Sequence, residues 1–497
     1  MRLAFLNARI RTMDERRPHA DSLLIAGPRI ECVGPAPQII PMADKMIDMQ
    51  GRAILPGFID AHVHVVWTGM ALDAVDLVGV RRIADIVERL RQAARLAPKG
   101  DWIFAEGYDR SVMEQYAAPT RGDLDRASTE HPILVRARGG HCSVGNTEAI
   151  SLIQPSSEAA DGVLDGEDNR KALTVAGQRL DDGRRLEAVR RCMDFALSKG
   201  VTTVHAMQRV AGQGDPFPAR LSDTRFRGRI VVYPTTTDVD WAVRNGFQRI
   251  GGCLLIDGGI EAHTAALFGG YADRPERNGR LYFSNEALIH FIKTANEAGL
   301  QTAVHAIGDR AIAQVLDAHA TIFGQRSCGE RRHRIEHFLL PRRQDVERAA
   351  ALGIAVCAQP AFEWFWGGRK GWFARFFGEE RMMCSTPLRS MVAAGVLVGG
   401  GSDSYVTPID PILGVWACVQ HPNEKERLTS THALRLFTVD AARLACMEDE
   451  VGTISPGKQA DLVVLSDDPC DCPPEKLAAI NIEQTWVAGE PVWQRQQ

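Results

Sequence analysis

Ile54 to Trp67 reads ILPGFIDAHVHVVW, and the fold is decided there. Apolar, strand-forming residues run from Ile54, pass a Pro56-Gly57 turn, resume at Phe58-Ile59 and end in His62-Val63-His64. Side chains two apart on a strand share a face, so His62 and His64 project together. Two neutral imidazoles at the end of a buried strand supply half of a divalent-metal site, in the donor class that suits zinc, iron or manganese. A bare H-x-H is a weak signal. It gains weight because three later strand-like runs each end in another ligand-type residue.

The chain around this stretch is ordinary globular material. Its 497 residues are 45% hydrophobic and 24% charged, with a net charge of -4, which excludes wholesale disorder and gives no basic block for nucleic acid. No apolar run of about 18 residues reads as a membrane span, and no basic-then-apolar start reads as a signal peptide, so a cytoplasmic protein acting on a small molecule is expected. The 11 cysteines lack paired spacing and read as reduced thiols.

From Leu3 to Asp48 short strand-like segments alternate with turns, and Asp461 to Leu465 and Thr485 to Val487 mirror them at the far end. Residues 1–53 and 441–497 are therefore expected to form one small β-sandwich domain. Between them, strands are expected at Ile54 to His64, Val201 to Met207, Ile230 to Thr236, Cys253 to Gly258, Gln301 to Ala306, His333 to Phe338, Ile354 to Gln359 and Val396 to Asp403. Amphipathic stretches such as Asn285 to Ala298, Ala311 to Phe323 and Pro341 to Leu352 separate several of them. The alternation predicts an α/β fold, a (β/α)8 TIM-type barrel over 54–440, whose active site lies at the C-terminal ends of the strands. The gap between the first two strands is too long for a simple connection, so 68–200 is expected to be an inserted lid subdomain.

His305 ends the fifth strand (QTAVHAIGDR), His337 the sixth (RIEH), and Asp403 the eighth (VLVGGGSDS). Each alone is an ordinary core residue or cap. Four histidines and an aspartate at one end of one barrel point to metal chemistry.

These motifs, with DGGIEAHTAAL (257–267), RGGHCSVGN (138–146) and GTISPGKQADLVVL (452–465), resemble the amidohydrolase superfamily, in its family 3 branch of YtcJ-like proteins and N-substituted formamide deformylases. The resemblance covers nearly the whole chain. It implies a metal-dependent hydrolase of non-peptide carbon-nitrogen bonds, with one or two divalent ions per chain, zinc first. By it, His62, His64 and Asp403 hold one ion, His305 and His337 hold or assist a second, and Asp403 also carries the proton from water to the leaving nitrogen. The branch is commonly oligomeric, which leaves a homo-oligomer open. Deamination or lactone or ester opening needs the same activated water and is the alternative chemistry. A catalytically silent ligand-binding relative is the alternative from another class.

The sequence departs from the resemblance on the fourth strand. Where two-metal relatives carry a bridging lysine, Cys253 stands before Asp257-Gly258, either as a bridging thiolate or as a small packing residue beside a single ion. His263 replaces an arginine, and Glu261 adds a carboxylate. Trp67, His141, Glu261, His263 and Gln359 are the expected substrate contacts. The aromatic run after Gln359, with Trp364, Trp366 and Trp372, reads either as an apolar substrate face or as core and interface.

Overall fold

The computed structural model describes residues 1–156, 161–178, 181–210, 215–324 and 327–496. Eight parallel strands form the central barrel: β1 (Phe58–Val63), β2 (Val201–Arg209), β3 (Arg229–Thr235), β4 (Arg249–Leu255), β5 (Gln301–Ala306), β6 (Arg334–His337), β7 (Ala355–Ala358) and β8 (Val398–Gly400). They hydrogen-bond in two arcs, β1 to β3 and β4 to β8. The β8–β1 seam is closed beyond the strand by Asp403 N–H donating to the His62 carbonyl at 2.9 Å and by a bridge between Val63 and Ser404. At the β3–β4 seam the backbones touch: a Cβ on Gly252 would lie 2.7 Å from the Tyr233 carbonyl oxygen.

Helices follow the strands and bury one face each. Asn285–Glu297 is capped by Ser284, whose hydroxyl accepts from Ala287 N–H at 3.2 Å, and buries Leu288, Phe291, Ile292 and Ala295. Asp309–Phe323 and Arg343–Leu352 complete the expected set, the latter stopped by Gly353 at φ 68°.

The strand expected over Ile54 to His64 is two strands. Ala53–Pro56 pairs with Arg9–Arg11 and Leu462–Leu465 in a six-stranded sheet built from both chain ends. After Gly57 the chain enters β1. No side chain fits at Gly57, because a Cβ would lie 2.4 Å from Thr202 Cγ2. A four-stranded sheet of Arg29–Gly34, Ser22–Ala26, Arg2–Leu6 and Lys45–Asp48 shares a core with the six-stranded one through Phe5, Ile25, Ile54, Leu462 and Trp486. The boundary read at residue 441 also shifts. Helix Val439–Leu444 packs Ala441, Ala442 and Leu444 against Ile59 and Ala61 of β1 and Ala355 and Cys357 of β7, so it belongs to the barrel.

Between β1 and β2 lies a five-stranded sheet with the strands in chain order, Val75–Asp76, Ile103–Tyr108, Ile133–Ala137, Cys142–Gly145 and Val163–Asp165. It has its own core around Ile86, Leu90, Ile133 and Val135. The ends of this segment join the barrel shell instead. Helix Asp182–Ser198 buries Ala188, Val189 and Cys192 in the main core, and Gly69 lets helix Val65–Ala71 approach it, since a Cβ there would collide with the Ala188 carbonyl.

Candidate metal centre

His62, at the end of β1, and Asp403, just past β8, meet because the β8–β1 seam is tied by their own backbones. Asp403 sits at φ 53°, a left-handed turn that aspartate tolerates, and its Oδ1 lies 3.3 Å from His62 Nε2 and 3.0 Å from His64 Nε2. His62 Nε2 and Asp403 Oδ1 are both fully buried and neither has a hydrogen-bond partner. Buried polar atoms are almost always satisfied. Donor atoms that face one another without bonding are what a cation between them requires. His62, His64 and Asp403 have their donor atoms within 4.8 Å of one another, and so do His62, Cys253 and His337.

Cys253 reaches this point through a distortion of β4. Ile250 pairs with Thr302 and Leu254 with Val304, so three residues of β4 stand opposite Ala303 alone. Gly251 and Gly252 adopt φ 96° and 55°, and a Cβ on Gly251 would lie 2.2 Å from the Ala303 carbonyl oxygen. Only a glycine pair makes this bulge. The bulge turns Cys253 Sγ inward, 3.7 Å from His305 Nδ1 and 3.9 Å from His337 Nε2. Burial raises a thiol's pKa, but the imidazoles around Cys253, His305 first, hold it well below the ordinary value. Burial works against the charge of Asp403 too, and His62 and His64 outweigh it.

Three of the four histidines are aimed by a second partner. His62 Nδ1 lies 2.6 Å from Glu336 Oε2, and Glu336 is itself paired with the buried Arg334, whose Nη2 also donates to the Ala61 carbonyl at 2.8 Å. His337 Nδ1 meets Gln359 Oε1 at 2.7 Å. His305 Nε2 lies 3.3 Å from the Gly258 carbonyl and 3.5 Å from Asp257 Oδ1. Asp257 is fixed in turn by the backbone N–H groups of Ala266, Ile307 and Gly308. Such outer partners set the tautomer and orientation of ligating imidazoles.

The centre opens into a cavity of about 150 Å³. His64, Cys253, His305, His337 and Asp403 floor it, and Trp67 and His141 line it. A second lobe shares His141, His337 and Asp403 and is lined further by Phe362, Trp366 and Phe373 together with the carboxyl of Glu261. Burial first, then the neighbouring His305, lowers His141 to about 3, so its ring is neutral. Burial lifts Glu261 to about 7 although Trp372 Nε1 donates to it at 2.8 Å.

Two expected substrate contacts lie elsewhere. His263 lines neither lobe: at φ 54° its ring turns back to Asp273, Nε2 to Oδ2 2.9 Å, and packs on Tyr271 and Phe376. Gln359 lines neither lobe and is spent on His337. The aromatic run divides. Trp366 enters the apolar lobe, Trp372 holds Glu261, and Trp364 is 54% exposed against Trp416. Glu336 was within reach of the sequence, as the middle of RIEH. Arg170 and Arg209, which also line the cavity, carried no signal in the sequence.

Eight parallel strands presenting imidazoles, a cysteine sulfur and a carboxylate at one end define a metal-dependent barrel hydrolase. The amidohydrolase family profile matches residues 45–493, and the chain belongs to that family, in its family 3 branch. It is 27% identical to the amidohydrolase YtcJ of Bacillus subtilis, over 90% of each chain, and 27% identical to the N-substituted formamide deformylase of Arthrobacter pascens, over 98% of this chain and 97% of that one. Among solved structures it resembles an uncharacterised metal-dependent hydrolase of Pyrococcus furiosus, with a TM-score of 0.76 at 27% identity, covering 95% of this chain and all of that one. No helix among the described residues is long and apolar enough to cross a membrane.

Proposed function

We propose that this hydrolase cleaves the carbon-nitrogen bond of a small non-peptide amide, an N-acyl, N-formyl or cyclic amide. The observation that carries the reading is the pair of orphaned buried atoms, His62 Nε2 and Asp403 Oδ1, beside the Cys253 sulfur ringed by imidazoles. His62, His64 and Asp403 would hold one divalent ion, and His305 and His337 a second, with Cys253 between the two sets. Thiolate and imidazole donors together favour zinc. Such an ion lowers the pKa of water toward neutrality and polarises a carbonyl.

The chain's own groups do the rest. Asp403, kept ionised by His62 and His64, takes the proton that water gives up and returns it to the departing nitrogen. The hydroxyl of that water ends on the acyl carbon as the C–N bond breaks, so one acid and one amine form. His141, neutral and shared by both lobes, sits where it can orient the substrate carbonyl. Trp67 and Trp366 flank the substrate, one in each lobe. The deformylase among the relatives is in keeping with this chemistry. The cytoplasm is the compartment we propose.

The test is a panel of formamides, acyl amides and cyclic amides beside lactones and aminated heterocycles. Amine and acid should be released together, the reaction should stop on chelation, and Asp403→Asn should lower kcat by about 10²–10⁴-fold. Turnover confined to lactones, or ammonia from the heterocycles alone, would reassign the reaction.

A further inference from the structure

Arg209 closes β2 and lines the polar lobe of the cavity. Its Nη1 donates to Thr174 Oγ1 at 2.9 Å and to the Arg170 carbonyl at 3.4 Å. Its Nε and Nη2 bond to no described residue, and no described carboxylate pairs with it. The nearby Arg170, on helix Gly166–Gln178, is matched by Glu167. The lobe therefore keeps one guanidinium whose Nε and Nη2 are bonded to no described residue. Arg209 is partly exposed on the cavity wall, so its free guanidinium nitrogens can receive an anionic ligand there without first breaking an ion pair.

We propose that the substrate carries a carboxylate, received by Arg209 in the polar lobe with Asn169 and Arg170 alongside, while an apolar ring-sized group fills the opposite lobe against Phe362 and Trp366. This rests on the amide-hydrolase reading and narrows it to N-acylated amino acids with an aromatic acyl group. Hydrolysis breaks the C–N bond, adds hydroxyl to the acyl carbon and hydrogen to nitrogen, and yields an aromatic acid and an amino acid. Arginine suits the task because its planar fork pairs with both oxygens of a carboxylate.

The probes are N-benzoylglycine and N-benzoylglycinamide, which differ only in that carboxylate. Binding of each to the metal-loaded full chain is measured by calorimetry, in the parent and in Arg209→Gln and Arg209→Lys. Charge-assisted pairing predicts that the parent binds the carboxylate about 10–100-fold more tightly, that Arg209→Gln brings the ratio near one, and that Arg209→Lys keeps part of it. Equal affinity of the parent for the two probes, binding of neither, or a preference that survives in Arg209→Gln, as direct capture by the metal would give, overturns the inference. If Arg209→Gln does not fold, Arg209→Lys decides: a ratio equal to the parent's overturns the inference. A carboxylate preference with no release of glycine would leave this inference standing and remove the amide-hydrolase reading instead.

Discussion

At the scale of single residues, the centre depends as much on the groups behind the ligands as on the ligands. Gln359 accepts from His337 Nδ1 and so fixes Nε2 as the atom turned toward Cys253. Gln359→Leu should weaken metal retention by about 10–100-fold in a chelator titration, because a ligating imidazole loses its tautomer lock. Retention equal to the parent would show that packing alone holds the ring. Glu261 gives the second prediction at this scale. Burial holds its pKa near 7, above the ordinary carboxyl value, so the folded state binds the proton more tightly than the unfolded one. The associated stability is present below about pH 4.5 and is lost as pH rises through about 7. Urea midpoints between those values should therefore fall less steeply with pH in Glu261→Gln. Parallel slopes would place the Glu261 carboxyl in water.

The residues legible from sequence alone were those at strand tips. His62, His64, His305, His337 and Asp403 could be placed because a barrel gathers the C-terminal ends of its strands, and the residues just past them, at one face. His263 and Gln359 were misplaced for local reasons. A positive φ turns His263 away, and a ligand's second nitrogen claims Gln359. Neither a turn conformation nor a tautomer partner has a sequence period.

At the scale of the element, β4 is the strand that decides what the centre holds. A regular strand would carry Cys253 past the site, and the Gly251-Gly252 bulge turns it in. Gly251→Ala should cost about 1–3 kcal/mol of stability, since the new Cβ meets the Ala303 carbonyl at a backbone conformation that L residues avoid. The same variant should lose bound metal in elemental analysis, whereas a stable variant with full metal content would mean that the bulge is not what positions the thiolate. The eight strands and the intervening helices could be read within a few residues because periodicity signals them. The bulge could not, because two glycines in a strand do not announce which register they shift.

At the scale of the whole molecule, the chain ends and the β1–β2 segment frame the barrel. The stretch that opened the reading serves both parts, since Ala53–Pro56 is sheet and Phe58–Val63 is barrel. Composition and alternation marked a strand there, but only long-range pairing with Leu462–Leu465 shows that it belongs to two bodies. The segment between β1 and β2 supplies His141 and Arg170 to the cavity, while Arg209 reaches it from the end of β2.

The central claim is that a thiolate and four imidazoles share their cations with Asp403, and metal content per chain tests it most directly. Elemental analysis of the purified protein beside Cys253→Ala should give about two equivalents in the parent and about one in the variant, as a bridging ligand requires. A parent without stoichiometric metal, or a variant that keeps the parent's full content, would contradict the account.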